Sequence, residues 1–293
     1  MTGRRNVARG RRAGPRLAAA IAVAAVISAC GAGAGGSPAP PSDEHPATTP
    51  PGSGPSSAGA AAAATPPPAA PALPLAGKAV GIDPGHNGGN FNAATFIGHL
   101  IWNGREMEAC DTTGTTTDGG YTETQFNFNV ASYLRADLRR DGARVVMTRT
   151  TDDGVGPCVD RRAEILNDAH VNVAIDIHAD GGPPGGRGFT ILEPVSDGPN
   201  DAVIGSSQRF GDDLRQAFLT GVPAMPESTY VGDQGIMPRD DLAGLNLTRV
   251  PKVLVECGNM RNATDAGLLV SAGFQQRVAR AIEAAIKRFL NAG

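Results

Sequence analysis

The run V-N-V-A-I-D-I-H-A-D at residues 171–180 decides how the rest of the chain is read. Val171, Val173, Ile175 and Ile177 alternate with Asn172, Ala174, Asp176 and His178, and Gly181 and Gly182 stop the run. This is the period-2 pattern of a strand. One face is continuously apolar, which predicts a mostly buried strand in an α/β sheet. His178 then falls at the strand's carboxyl end, the edge where open α/β sheets hold their ligands. A lone histidine there is more often structural. Two further segments argue otherwise: D-P-G-H at 83–86 and L-V-E at 254–256.

Working outward, residues 78–83 read as a short strand that runs into a Pro- and Gly-marked turn carrying His86. Residues 90–120 show no clear periodicity and are rich in Thr, Gly and Asn. A loop of that length inside a compact domain is usually functional or disordered. A helix then opens at Thr122, which forms a capping-box pattern with Gln125, and Phe126, Val130, Leu134 and Leu138 share one face. Gly142 ends it. Glu123 sits in the first turn, where the helix dipole favours a negative charge; that alone is an ordinary reason for an acid there.

The alternation continues. Strands are expected over 144–148, 188–192 and 252–256, and helices over 160–168, 201–219 and 271–290. In the last helix Phe274, Val278, Ile282, Ile286 and Leu290 fall in register, while 221–250 is loop-rich. Strands alternating with helices predict a single α/β domain, its twisted, largely parallel sheet covered by helices on both faces.

The chain's first residues announce an address. Arg4, Arg5, Arg9, Arg11, Arg12 and Arg16 precede an apolar stretch at 17–27 that is too short to span a bilayer, which takes about 20 residues. That is the layout of an export signal over residues 1–29. It closes on I-S-A-C at 27–30, resembling a bacterial lipobox in which Cys30 becomes the lipidated first residue; the alternative is ordinary cleavage and secretion. Residues 30–74 are mostly Ala, Pro, Gly and Ser and predict a disordered tether. Residues 75–293 are long enough for one domain with a full core.

Loss of residues 1–29 removes six arginines and no acids. The formal charge moves from −3 to −9, with 20 Lys and Arg against 29 Asp and Glu. Such an acidic chain is a poor partner for nucleic acid, whose binding depends on phosphate neutralisation. The lipid at Cys30 is the expected membrane contact, and a monomer is the expected state.

In a right-handed α/β sheet, strand ends and helix starts share an edge, so His86, Glu123, His178 and Glu256 can converge there. Two imidazoles and a carboxylate are a typical ligand set for a hydrolytic zinc, with the fourth position left to water. A second carboxylate beside that water could take its proton. No Ser-His-Asp or Cys-His arrangement competes. Cys257 adjoins Glu256 on its strand and so faces the other way, into the core.

D-P-G-H at 83–86, Y-T-E at 121–123, D-I-H-A-D at 176–180 and L-V-E-C-G-N-M-R-N at 254–262, in this order, resemble the zinc-dependent N-acetylmuramoyl-L-alanine amidases of the Amidase_3 type. The likeness covers about residues 76–290 and is nearest to the mycobacterial and actinobacterial branch. It implies one Zn2+ per domain held by His86, Glu123 and His178, with Glu256 as the catalytic glutamate. It also implies peptidoglycan or muropeptides as substrate, cleaved between the lactyl group of N-acetylmuramic acid and L-alanine. Arg162 and Asn167 match a structural pair. The chain departs from the family where Asp176-Ile-His178-Ala-Asp180 replaces the usual Ser-x-His-x-Asn, and Asn87 replaces a frequent Gly; near Asp180 this bears on substrate preference. A zinc peptidase acting on other wall peptides, a non-catalytic peptidoglycan-binding module and a structural envelope protein are the competing classes.

Related actinobacterial amidases resemble this chain in carrying cysteines at 110 and 158. With Cys30 assigned to lipid and Cys257 to the core, a Cys110–Cys158 disulfide is expected, since export leads to an oxidising compartment.

Overall fold

The computed structural model describes residues 72–292. The export signal, Cys30 and nearly all of the 30–74 tether lie outside the described residues. In chain order the elements are β1 (Ala79–Pro84), a 3-10 turn (Gly88–Asn92), α1 (Ala94–Ile97), β2 (Leu100–Trp102), β3 (Met107–Ala109), α2 (Glu123–Arg140), β4 (Arg144–Met147), α3 (Val159–Asp168) and β5 (Val173–Asp180). Then follow β6 (Thr190–Pro194), a 3-10 turn (Asp201–Val203), α4 (Ile204–Gly221), β7 (Ile236–Arg239), α5 (Ala243–Asn246), β8 (Lys252–Asn259), α6 (Ala263–Leu269) and α7 (Ala272–Asn291).

Six strands form one sheet in the order β4-β1-β5-β8-β6-β7. β5, from the alternating run at 171–180, lies in its middle. Pairing is parallel except between β6 and β8. The exception has a local cause. Residues 181–189, between β5 and β6, carry Gly and Pro but no helix. Parallel neighbours need a long crossover, usually helical, whereas an antiparallel strand can return through a short link.

The alternation along β5 divides the sheet's two faces. Val173, Ile175 and Ile177, with Val80, Ile82, Val253 and Val255, are buried under α2, α4 and α7. Phe126, Val130, Leu134 and Leu138 of α2 are all fully buried there, so the helix period read from the sequence is the packing face. Burial of one such side chain stabilises the fold by roughly 1.5–3 kcal/mol. On the other face Leu166 of α3 packs on Ala79, Val171 and Ala174, and Leu245 of α5 packs on Leu192 and Leu254. Cys257 is buried on the α2 side, opposite to Glu256, as its place in the strand requires.

Residues 90–120 are more ordered than the sequence suggested. They hold α1 and the two-stranded hairpin β2–β3, whose strands of three residues are too short to show a period. The hairpin's Ile101 is buried against Cys110 and Ala243. Among the described residues no helix is long and apolar enough to cross a membrane.

Candidate metal centre

The site begins where β1 turns. Beyond Pro84 the strand gives way to Gly85 and His86, and His86 adopts a left-handed backbone, φ 56°. Such a conformation persists in a non-glycine residue only when its surroundings hold it. Two buried arginines do so. Arg162 of α3 donates to the carbonyls of Pro84 and His86, each at 2.8 Å, and Arg149 donates to those of Pro84 at 2.8 Å and Gly85 at 3.3 Å. Gly85 is required for another reason: a Cβ there would lie 2.1 Å from the His178 ring.

Glu123 enters from the start of α2, which Thr122 caps by accepting from the Gln125 N–H at 3.3 Å. Its Oε1 lies 2.9 Å from His178 Nδ1 and 3.4 Å from His86 Nε2. Its Oε2 accepts from the Thr115 N–H at 2.8 Å. The two imidazole rings meet edge to face, 4.8 Å between centroids. One ligand-type atom from each of His86, Glu123 and His178 falls within 4.8 Å of the others. Glu256 stands opposite His178 in register on β8, and its buried Oε2 has no hydrogen-bond partner among the described residues.

The imidazole nitrogens that face away from Glu123 each lie beside a carboxylate, hydrogen-bonded in the case of His86. His86 Nδ1 is 3.0 Å from Asp111 Oδ1, and His178 Nε2 is 3.2 Å from Asp176 Oδ1. Beneath them lie Asp83, Arg162 and Lys252. Counting Asp83, Asp111, Asp176 and Glu123 against Arg162 and Lys252 leaves two negative charges uncompensated.

That imbalance shows in the ionisation of the histidines. Burial pulls the His86 imidazole down, but Glu123 and Asp111 outweigh it and raise it to about 9. His178 is likewise depressed by burial and raised well above its usual value by Asp176 and Glu123. Glu123 is held well below the carboxylate range because the two imidazoles outweigh its burial. Two imidazolium protons or one divalent cation would complete the charge balance equally well. The donor set and the charge of the site therefore fit a divalent metal such as zinc. Burial, with Glu123 and Asp180 adding to it, pushes Glu256 up to about 8.

The site residues read from the sequence, His86, Glu123, His178 and Glu256, thus share one sheet edge. Cys110 and Cys158 are joined to each other, with Cα atoms 4.5 Å apart, and His99 lies beside them. Arg162 is buried as described, and Asn167 bonds the carbonyl of Leu247 at 2.9 Å. Asp111, Lys252 and Arg149 escaped the sequence reading, as did the contact of Asp176 with His178. Asp180 has its own partner: Tyr230 donates to its Oδ2 at 2.7 Å and lies over Gly182 and Gly186, where any side chain would collide with the ring. A cavity of about 170 Å³ adjoins the histidines and is lined on its apolar side by Val159, Leu242, Leu245 and Leu254.

Residues 80–288 match the family model described as N-acetylmuramoyl-L-alanine amidase. The chain is 40% identical over 218 residues to the N-acetylmuramoyl-L-alanine amidase Rv3717 of Mycobacterium tuberculosis, spanning 74% of this chain and 88% of that protein. Among solved structures, the N-acetylmuramyl-L-alanine amidase Ami1 of Mycobacterium smegmatis superposes with a TM-score of 0.70 at 41% identity, covering 75% of this chain and 99% of that one. The apo form of Ami1 from Mycobacterium abscessus gives 0.69 at 41% identity, over 74% and 100%.

Proposed function

The chain belongs to the N-acetylmuramoyl-L-alanine amidase family, and on that premise we propose that it cleaves peptidoglycan with one zinc held by His86, Glu123 and His178. The observation that carries the metal is the convergence of those three side chains on a buried site with two uncompensated negative charges. The bond cut is the amide between the lactyl group of N-acetylmuramic acid and L-alanine.

Zinc bound there supplies Lewis acidity, polarising a carbonyl and easing ionisation of water near neutral pH. The chain's own groups do the rest. Glu256 takes the proton of the attacking water and delivers it to the amide nitrogen as the C–N bond breaks, leaving a lactyl carboxylate and a free L-alanine amine. Amine expulsion needs that proton. The partnerless Oε2 of Glu256 supports this role. Its position beside His178, on the face opposite the core thiol Cys257, follows from strand register.

Digestion of isolated cell wall with zinc-loaded protein, followed by mass analysis, tests the reading. Intact glycan and stem peptides beginning with L-alanine are expected. Cuts inside the stem peptide would instead make it a peptidase, and binding without cleavage a recognition module.

For location, we propose export through residues 1–29 and lipid attachment at Cys30, with residues 30–74 as tether and residues 75–293 as the catalytic domain, acting as a monomer. The lipobox-like I-S-A-C at 27–30 supports this. Cys30→Ala should release or misprocess the protein; an N-terminal peptide without lipid mass argues for simple secretion.

A further inference from the structure

Asp83, first residue of D-P-G-H, touches neither imidazole, yet both are tied to it. One arm runs from Asp83 Oδ2 to Lys252 Nζ at 2.8 Å, from there to Asp176 Oδ2 at 3.4 Å, and from Asp176 Oδ1 to His178 Nε2 at 3.2 Å. The other runs from Asp83 Oδ1 to Arg162 Nη1 at 3.0 Å, from Arg162 Nη2 to Asp111 Oδ2 at 3.2 Å, and from Asp111 Oδ1 to His86 Nδ1 at 3.0 Å. Thr148 adds a hydroxyl to Asp83 Oδ1 at 2.6 Å. Lys252 is wholly buried and Asp83 1% exposed.

The chemistry of this arrangement is costly unless it does something. Asp83 and Asp176 are register partners on β1 and β5, so two carboxylates face each other within the sheet. Lys252, two residues back along β8 in register with Ala174, reaches up to sit between them. A well-packed apolar trio would often be as stable as such buried ions. What the ions add is direction. Asp111 pairs with the outer nitrogen of His86 at 3.0 Å and Asp176 lies 3.2 Å from that of His178. The inner nitrogens, Nε2 of His86 and Nδ1 of His178, which face Glu123, are therefore the ones that a bound cation would take in place of their protons. Partners of this kind fix the tautomer and orientation of metal-ligating histidines.

We propose that Asp83 is a shared positioning residue, which through the Lys252–Asp176 and Arg162–Asp111 arms fixes both imidazoles with their inner nitrogens presented to one metal. This rests on the zinc reading above. It goes further in joining two ligands distant in sequence to one hub, and in assigning His86 Nε2 and His178 Nδ1 as the ligating atoms.

The test uses the purified protein labelled with 15N-histidine. Zinc affinity is measured by chelator competition, and the outer imidazole N–H resonances are recorded with zinc bound. Asp176→Asn should weaken zinc by about 10- to 100-fold and shift only the His178 Nε2–H; Asp111→Asn should do the same for His86 Nδ1–H. Asp83→Asn should move both resonances at once. Should Asp83→Asn fail to fold, Lys252→Met and Arg162→Met decide, because each cuts one arm between Asp83 and a histidine. The first should move only the His178 resonance and the second only that of His86, and neither moving would overturn the proposal. Weaker zinc with both N–H resonances unmoved would reduce the network to a structural role and overturn the proposal. So would variants that bind zinc within twofold of the parent. A parent protein that binds no zinc would sink the zinc reading and this proposal together.

Discussion

Glu256 of β8 stands directly opposite His178 of β5 in the parallel ladder. Register partners on neighbouring parallel strands point to the same face, so a carboxylate is held beside the imidazole that Glu123 also touches at 2.9 Å. Neither side chain could reach the other's partners if either strand slipped by one residue, since every side chain would then change face.

The first prediction concerns that carboxylate. Glu256→Gln keeps shape and removes the proton acceptor. Amide hydrolysis should fall by about 10²- to 10⁴-fold while zinc content and melting temperature hold. More than about a tenth of the parent rate on a muramoyl-peptide would take Glu256 out of the role.

The ligand set makes the second. The parent should hold about one zinc, lose activity on chelation and regain it with added zinc. His86→Ala, Glu123→Ala and His178→Ala should each lower occupancy. Full zinc by elemental analysis in His178→Ala would show the assignment to be wrong.

Much of this candidate site is legible in the sequence, because its groups sit at strand ends and a helix start, positions that local pattern reveals. The charge network beneath was not. Lys252 and Asp83 are 169 residues apart, and only the sheet order brings them together. A signal existed for Lys252: it opens an otherwise apolar strand, four residues before Glu256 and so on the same face. Asp176 was visible as a departure from the family pattern, but its consequence depends on Lys252. Asp111 hid within residues 90–120, where three-residue strands leave no period. Helix α6, seven residues long, was missed likewise, although Asn262 caps it by accepting from the N–H groups of Thr264 and Asp265. The antiparallel β6 is set by the missing crossover helix and not by its own residues.

The third prediction lies away from the metal. Glu193 on β6 is nearly buried toward α4, so close to Gly211 that a Cβ there would meet its carboxylate. Burial, with Asp212 adding to it, raises Glu193 from 4.5 to about 7. The folded state then keeps a proton that the unfolded chain releases near 4.5, so stability from this group is present at low pH and lost as pH rises toward 7. The loss amounts to roughly 3 kcal/mol at most. Glu193→Gln should therefore be more stable than the parent at pH 8, and the two should converge near pH 4.5 in urea titrations. Equal stabilities at pH 8 would show that Glu193 ionises normally.

The fourth prediction joins stability to the site through Cys110 and Cys158. Cys110 immediately precedes Asp111, which holds His86, and Cys158 immediately precedes α3, whose Arg162 holds Asp111. A bridge between them fastens that contact from both sides. The two are 48 residues apart in sequence, and closing such a loop stabilises the fold by about 4 kcal/mol on the chain-entropy model. Reduction should lower the melting temperature by about 10 °C in a domain of this size. It should also weaken zinc binding, because Asp111 loses its anchor, whereas Glu193→Gln should leave zinc affinity alone. In the denatured, unreduced protein, thiol labelling with peptide mapping should modify Cys257, which is buried and unpaired in the fold, and spare Cys110 and Cys158. Labelling of all three in the exported protein would sink the bridge. An intact bridge whose reduction leaves zinc affinity unchanged would confine its effect to the chain's entropy.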